Sequence, residues 1–183
     1  MVWSVPDDHP LRRLFAGLVE QVFFSDLGIC DPRVTDYVSG LLVEFVHVDH
    51  IYRLRNVDGQ VIREVSRIEA DARLADVAPR AARDCVVHRY IGDFTLFWTG
   101  VYPESLRPRL SGSDRMQEFL LQGKRSYEIA GELSDASGDP PAAVLLALSK
   151  EFESCVHGLH LVRTGWERAC ANGSDGPLRL DPN

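Results

Sequence analysis

The sequence predicts an all-α protein: a single-domain helical bundle of about five to six helices, with at most one short hairpin. Apolar residues recur at three- and four-residue spacing along almost every long segment, which is the period of an amphipathic helix. Proline and aspartate stand where these segments begin, and glycine stands where several end. The 183 residues, 45% hydrophobic and 26% charged, fit one domain with one core.

Two amphipathic helices are expected at the start of the chain. The first begins near Asp8, a good N-cap, and ends at Gly28, which suits the left-handed C-cap conformation. Asp31 and Pro32 repeat the start signal for a second helix that reaches roughly Tyr52. We expect the two helices to pack antiparallel. The apolar face of the first consists of Leu11, Leu14, Phe15, Leu18, Val19, Val22 and Phe23, and that of the second of Val34, Val38, Leu41, Leu42, Phe45 and Val48.

The next segment has two interpretations. Asp58-Gly59 forms a turn, and a hairpin around it would cover residues 52–65. A helix after the turn is favoured, because the apolar residues keep helical spacing and do not alternate strictly. These residues are Val61, Ile62, Val65, Ile68 and Ala72.

Pro79 opens a helix that is expected to run to about Tyr102, where Pro103 stops it. From Cys85 onward this segment is apolar on nearly every side. Its apolar residues are Val86, Val87, Tyr90, Ile91, Phe94, Leu96, Phe97, Trp98 and Val101. A helix that is apolar all round is normally buried, so we predict that it forms the centre of the bundle.

A loop at residues 103–113 separates this helix from the next. Asp114 and Gln117 have capping-box spacing for a helix that ends near Leu133, before a break at residues 134–138.

Asp139 and Pro140 then start one last long helix. Its predicted core face consists of Leu145, Leu148, Phe152, Cys155, Val156 and Leu159. The single helical domain is expected to span residues 1–170, and residues 171–183 to form a flexible C-terminal tail.

Composition argues against several classes of protein. The net charge of -7 comes without a dense cluster of cations, so no nucleic-acid partner is expected. The N-terminus lacks a signal peptide and no apolar run approaches the roughly 20 residues of a membrane span, so we expect a soluble, cytoplasmic protein without a membrane partner. Cys30, Cys85, Cys155 and Cys170 show no Cys-x-x-Cys spacing and are interpreted as buried, reduced thiols.

A resemblance covers roughly the middle third of the chain. The stretch HRYIGDFTLFWTGVYPESL at residues 88–106, with QGKRSY at 122–127, resembles a group of uncharacterised bacterial hypothetical proteins. The resemblance implies a bacterial origin. It implies no activity and no binding residue.

Histidines give a candidate metal site. Two His-x-x-His pairs begin at His47 and His157, and Glu44 precedes His47 by three residues, as in half of a di-iron bundle motif. The second half is missing, because Ser154 occupies the matching position before His157. Histidines at the boundary of an apolar face explain the pattern better, and no cofactor is predicted. The candidate metal ligands are Glu44, His47, His157 and His160.

Arg89 and Asp93 lie one helical turn apart in the apolar central segment. They either pair with each other in the core, which is favoured, or line a pocket. Small or polar residues on one side of this helix permit either a close helix approach or a cavity. Those residues are Ala81, Cys85, His88, Gly92, Thr95 and Thr99. The candidate ligand-binding residues are His88, Arg89, Asp93, Trp98 and Tyr102, although Trp98 and Tyr102 are better interpreted as core aromatics.

No catalytic motif is present. There is no Gly-x-Ser-x-Gly elbow, and the segment at residues 123–126 lacks the upstream glycine of a phosphate-binding loop. The sequence therefore favours a non-enzymatic helical module that binds a protein partner or assembles with itself. The alternative is a small helical-bundle enzyme or ligand-binding protein with a polar pocket on the central helix, in its sharper form metal-dependent.

Overall fold

The computed structural model describes residues 10–46, 80–106, 115–134 and 138–172. These residues form six α-helices and contain no strand, which confirms the all-α prediction. The turn at Asp58-Gly59 and the helix or hairpin predicted around it lie outside the described residues. None of the described helices is long and apolar enough to cross a bilayer. The helices are α1 (Pro10–Gln21), α2 (Pro32–Val46), α3 (Arg80–Val101), α4 (Arg115–Leu133), α5 (Ala142–Lys150) and α6 (Phe152–Asn172).

Local signals set the junction between α1 and α2 as predicted. A π-helical turn (Val22–Asp26) extends α1, and Gly28 follows it with φ of 68°, a conformation that favours glycine. The Asp31 carboxylate accepts a hydrogen bond from the backbone N–H of Arg33 at 3.0 Å, and Pro32 is the first helical residue. The predicted start at Asp8 and the extension of α2 to Tyr52 lie outside the described residues.

Helix α3 lies at the centre, with bounds close to those predicted. Its second half is buried apart from the half-buried Asp93, whereas Val86 in its first half is 58% exposed. A 3-10 turn (Pro103–Leu106) follows it. The buried residues of α3 are Ile91, Phe94, Thr95, Leu96, Phe97, Trp98, Thr99 and Val101.

Close helix approach, one of the two alternatives for the small residues of α3, is observed. A Cβ on Gly92 would lie 2.7 Å from the Tyr127 ring of α4, and one on Gly100 would lie 2.6 Å from Leu159 of α6. The hydroxyl groups of Thr95 and Thr99 donate to backbone carbonyls of α3 itself. Close approach is therefore seen at Gly92 of this set, whereas Ala81 is exposed and Cys85 and His88 are half-buried.

The single long helix predicted after Pro140 is wrong. Glu151, with φ of -101° and ψ of 24°, separates α5 from α6. Leu148 and Phe152 on either side of this break are both fully buried in the same core. The apolar spacing therefore continues across the break and does not reveal it. Helix α6 also extends to Asn172, two residues into the predicted tail, and residues 173–183 lie outside the description.

The cysteines with described side chains are all free thiols. Cys155 is buried, and Cys85 is partly buried and donates to the carbonyl of Ala130 at 3.4 Å. The prediction of burial is wrong for Cys30, which is exposed because it lies in the α1–α2 junction and not on a helix face. The side chain of Cys170 lies outside the description.

Arg163 of α6 ties this helix to the end of α3. It donates to the backbone carbonyl of Val101, to Glu104 at 2.6 Å and to Glu167 at 2.7 Å. Its guanidinium also lies 5.0 Å from the centre of the Tyr102 ring. Only 16% of the Arg163 side chain is exposed.

Arg163→Lys is expected to destabilise the protein by about 1–2 kcal/mol, because an ammonium cannot reproduce the planar fork that reaches several acceptors at once. Urea denaturation measures the change. As a control, Lys124→Arg alters the exposed pair between Lys124 and Glu153 and is expected to change stability by less than about 0.5 kcal/mol. Equal effects of the two substitutions would contradict a special role for Arg163.

Candidate functional site

One carboxylate joins three helices. Oδ1 of Asp93, in α3, accepts a hydrogen bond from the Tyr37 hydroxyl of α2 at 2.6 Å and from the Tyr127 hydroxyl of α4 at 2.8 Å. Tyr127 is fully buried, held between Gly92 and the ring of Phe152. Both phenols are therefore oriented by packing towards the same oxygen. We call Tyr37, Asp93 and Tyr127 the tyrosine–aspartate cluster.

The direct pair between Arg89 and Asp93, favoured by the sequence, is not formed. Arg89 donates instead to the backbone carbonyl of Asp139 at 3.0 Å, in the segment before α5. Asp93 is engaged instead by the hydroxyl groups of Tyr37 of α2 and Tyr127 of α4. The charge of Arg89 still favours the ionised form of Asp93.

Burial controls the ionisation of the cluster. It raises the pKa of Asp93 to about 6, against the hydrogen bonds from Tyr37 and Tyr127, which favour the carboxylate. The charge of Glu44 adds a smaller increase. Burial, followed by the negative charge of Asp93, raises the pKa values of both tyrosines well above their ordinary value. Near neutral pH the phenols are therefore donors and Asp93 is mostly an ionised acceptor.

Tyr37→Phe is expected to raise the pKa of Asp93 further, because it removes a hydrogen bond that favours the carboxylate. The carboxyl ¹³C chemical shift of Asp93, followed by NMR across a pH titration, measures it directly. Tyr102→Phe is the control. Tyr102 lies nine residues further along the chain, about 13 Å at the helical rise, and its loss is expected to leave this pKa unchanged. A lower pKa in Tyr37→Phe would contradict the assigned role of the bond.

The other candidate ligand-binding residues do not converge on the cluster. Nδ1 of His88 and Nε1 of Trp98 are buried and have no hydrogen-bond partner in the described part of the chain. These two residues are ten positions apart on α3, about 15 Å along the helix axis. Tyr102 packs against the rings of Phe97 and Trp98, as expected of a core aromatic. The structure thus brings Arg89 near Asp93 but leaves Trp98 and Tyr102 at the other end of the helix.

The candidate metal ligands are not brought together within the described part of the chain. Glu44 is exposed on α2, and His157 and His160 are exposed on α6. His47 lies outside the described residues. Across residues 10–46, 80–106, 115–134 and 138–172, no group of three or more His, Cys, Asp or Glu side chains has a geometry suited to a metal ion.

Sequence reasoning did not identify Tyr37 and Tyr127 as partners of Asp93. A signal was present, because Tyr37 lies three residues after Val34 and four before Leu41, on the apolar face of α2. A tyrosine that points into a core brings a hydroxyl that needs a partner. Asp93 is the acidic residue in the apolar second half of α3 and is therefore a natural acceptor.

No protein-family model matches this chain, and no curated protein or solved structure is significantly similar to it. The resemblance to bacterial hypothetical proteins stays a prediction. The function is therefore inferred from the contacts within the bundle.

Proposed function

We propose that this protein is a non-enzymatic helical module that acts by binding protein, either a second copy of itself or a different chain. The observation that carries the proposal is that three polar residues of α3, Asp93, Arg89 and Thr95, are engaged within the bundle. Asp93 bonds to two tyrosines, Arg89 bonds to a backbone carbonyl, and Thr95 bonds within the helix. Groups engaged in this way hold a bundle together and have little capacity left to bind a substrate.

The surface supplies apolar side chains for such binding. Leu121 of α4 is 64% exposed and Val86 of α3 is 58% exposed. Exposed single leucines and valines are common on proteins, so neither defines an interface by itself. They do provide the kind of apolar anchor that an interface buries at its centre.

Native mass spectrometry and sedimentation velocity on the untagged full chain test the proposal. We expect masses that correspond to multiples of the chain, or to the chain plus another polypeptide, with populations that depend on concentration. Leu121→Gln is expected to weaken this association, while Gln117→Ala, on the same exposed face of α4, leaves it unchanged. A monomer carrying one equivalent of a small molecule or metal would contradict the proposal.

The alternative of a ligand-binding or enzymatic bundle is favoured by one observation, the buried nitrogens of α3 that have no hydrogen-bond partner among the described residues, which belong to Arg83, His88 and Trp98. A buried donor without an acceptor costs about 1–3 kcal/mol, which a ligand oxygen would recover. Because His88 and Trp98 lie far apart along α3, one small molecule would contact one of these side chains and not both. A bound small molecule that is lost in Trp98→Phe, detected by native mass spectrometry, would establish this alternative.

A further inference from the structure

We propose that the tyrosine–aspartate cluster is a proton-controlled latch that fastens α2 to the α3–α4 pair and holds it more tightly when Asp93 is protonated. This regulation is independent of whether the bundle binds protein. The inference is drawn from where the cluster lies and from what surrounds it.

The cluster lies where α2 meets α3, and α2 also packs against α1 and α5. Tyr37 reaches across to Asp93, and further along α2 the ring of Phe45 stacks on Phe97 with ring centres 4.9 Å apart. On the other side of Asp93, Tyr127 anchors the same oxygen to α4. A change at this one carboxyl group therefore acts on the hydrogen bond from Tyr37 of α2 and on the hydrogen bond from Tyr127 of α4.

Among the described residues, no charged group forms an ion pair with Asp93. From α2 it faces Tyr37 and Glu44, and from its own helix Arg89. From α4 it faces Tyr127, beside which stands the Cys155 thiol of α6. The guanidinium of Arg89 bonds elsewhere, and the described ion pairs do not include Asp93. Burial raises the pKa of Cys155 to about 12, so this thiol stays neutral.

A half-buried carboxylate that contacts no cation among the described residues is less well solvated than in water, and its neutral form is favoured. The pKa of Asp93 is accordingly raised from 3.8 to about 6 in the closed bundle. If α2 moves away, water reaches the carboxyl group and its pKa returns towards 3.8. The closed state then binds a proton that the open state does not bind. Acidification through about pH 6 therefore favours closure, and ionisation above it favours loosening of α2.

Amide hydrogen exchange of the full chain, resolved by helix, tests the latch. Rates are compared at each pH with those of an unstructured peptide, which removes the intrinsic pH dependence. We expect protection of α2 to rise about tenfold when the pH falls from about 7.5 to about 5, as follows for a group with a pKa near 6. In Asp93→Asn this change should disappear, whereas Asp36→Asn, the same chemical change on the exposed face of α2, should retain it.

A second measurement keeps the test decisive if Asp93→Asn does not fold. The ¹³C titration of the Asp93 carboxyl group in the unaltered protein should have the same midpoint as the change in α2 protection. Different midpoints, pH-independent protection of α2, or an unchanged pH response in a folded Asp93→Asn would each overturn the latch. The oligomeric state plays no part in these readouts, so their failure is distinguishable from failure of the protein-binding proposal.

Discussion

Asp93→Asn is expected to stabilise the protein at about pH 8 by as much as about 3 kcal/mol, the free energy that corresponds to raising a carboxyl pKa from 3.8 to about 6. Asparagine has the shape of the neutral acid, and its carbonyl oxygen can still accept the hydrogen bonds of Tyr37 and Tyr127. The substitution therefore removes the buried charge and preserves both bonds.

The pH dependence gives the sign of the effect. Because the pKa of Asp93 is raised in the folded state, folding takes up a proton between about pH 6 and about pH 4. The cost of Asp93 to the stability of the folded protein therefore decreases as the pH falls through that window. The advantage of Asp93→Asn should shrink across the same window and be small near pH 4. Chemical denaturation of both proteins at several pH values measures the difference, and Asp36→Asn serves as the control.

A variant less stable than the unaltered protein at every pH would contradict this account. It would mean that charge-assisted bonds from the two tyrosines outweigh the cost of burying the carboxylate. The same measurement distinguishes the observed contacts from the ion pair favoured by the sequence. In that ion pair, loss of the Asp93 charge would leave Arg89 without a counter-charge and destabilise the fold.

Helix boundaries were predictable because their causes are local. Gly28 ends its helix by adopting a conformation that other residues avoid, and Asp31 caps the next through its own side chain. The bounds of α3 follow from prolines at either end of an apolar segment. None of these signals needs knowledge of a neighbouring helix.

Contacts between helices were not predictable in the same way. Arg89 and Asp93 have the spacing of an ion pair, yet each finds a partner more than 30 residues away in the chain. The helix break at Glu151 could not be predicted from the apolar spacing, because Leu148 and Phe152 remain in one core on both sides of it. Periodicity reports which face of a helix is buried and does not report what buries it.

Gly123→Ala is expected to destabilise the protein by about 3 kcal/mol, at the upper end of the usual cost of overfilling a core. Gly123 lies where α4 crosses α3 and the start of α6. An added Cβ would meet the Thr95 hydroxyl and the far edge of the Phe152 ring, well inside van der Waals contact. Both neighbours are fully buried, so neither can turn aside without disturbing the core.

The matched controls are Gly17→Ala in α1 and Gly40→Ala in α2, where an added Cβ meets no atom of the described residues within 4 Å. There alanine should stabilise the protein by about 0.5–1 kcal/mol, because it is a better helix former than glycine. The same substitution is thus expected to have opposite signs at the crossing and on the open faces, as measured by urea denaturation. If Gly123→Ala were neutral or stabilising, α3 and α4 could not approach as closely as their glycines indicate, and the placement of Tyr127 against Asp93 would lose its support.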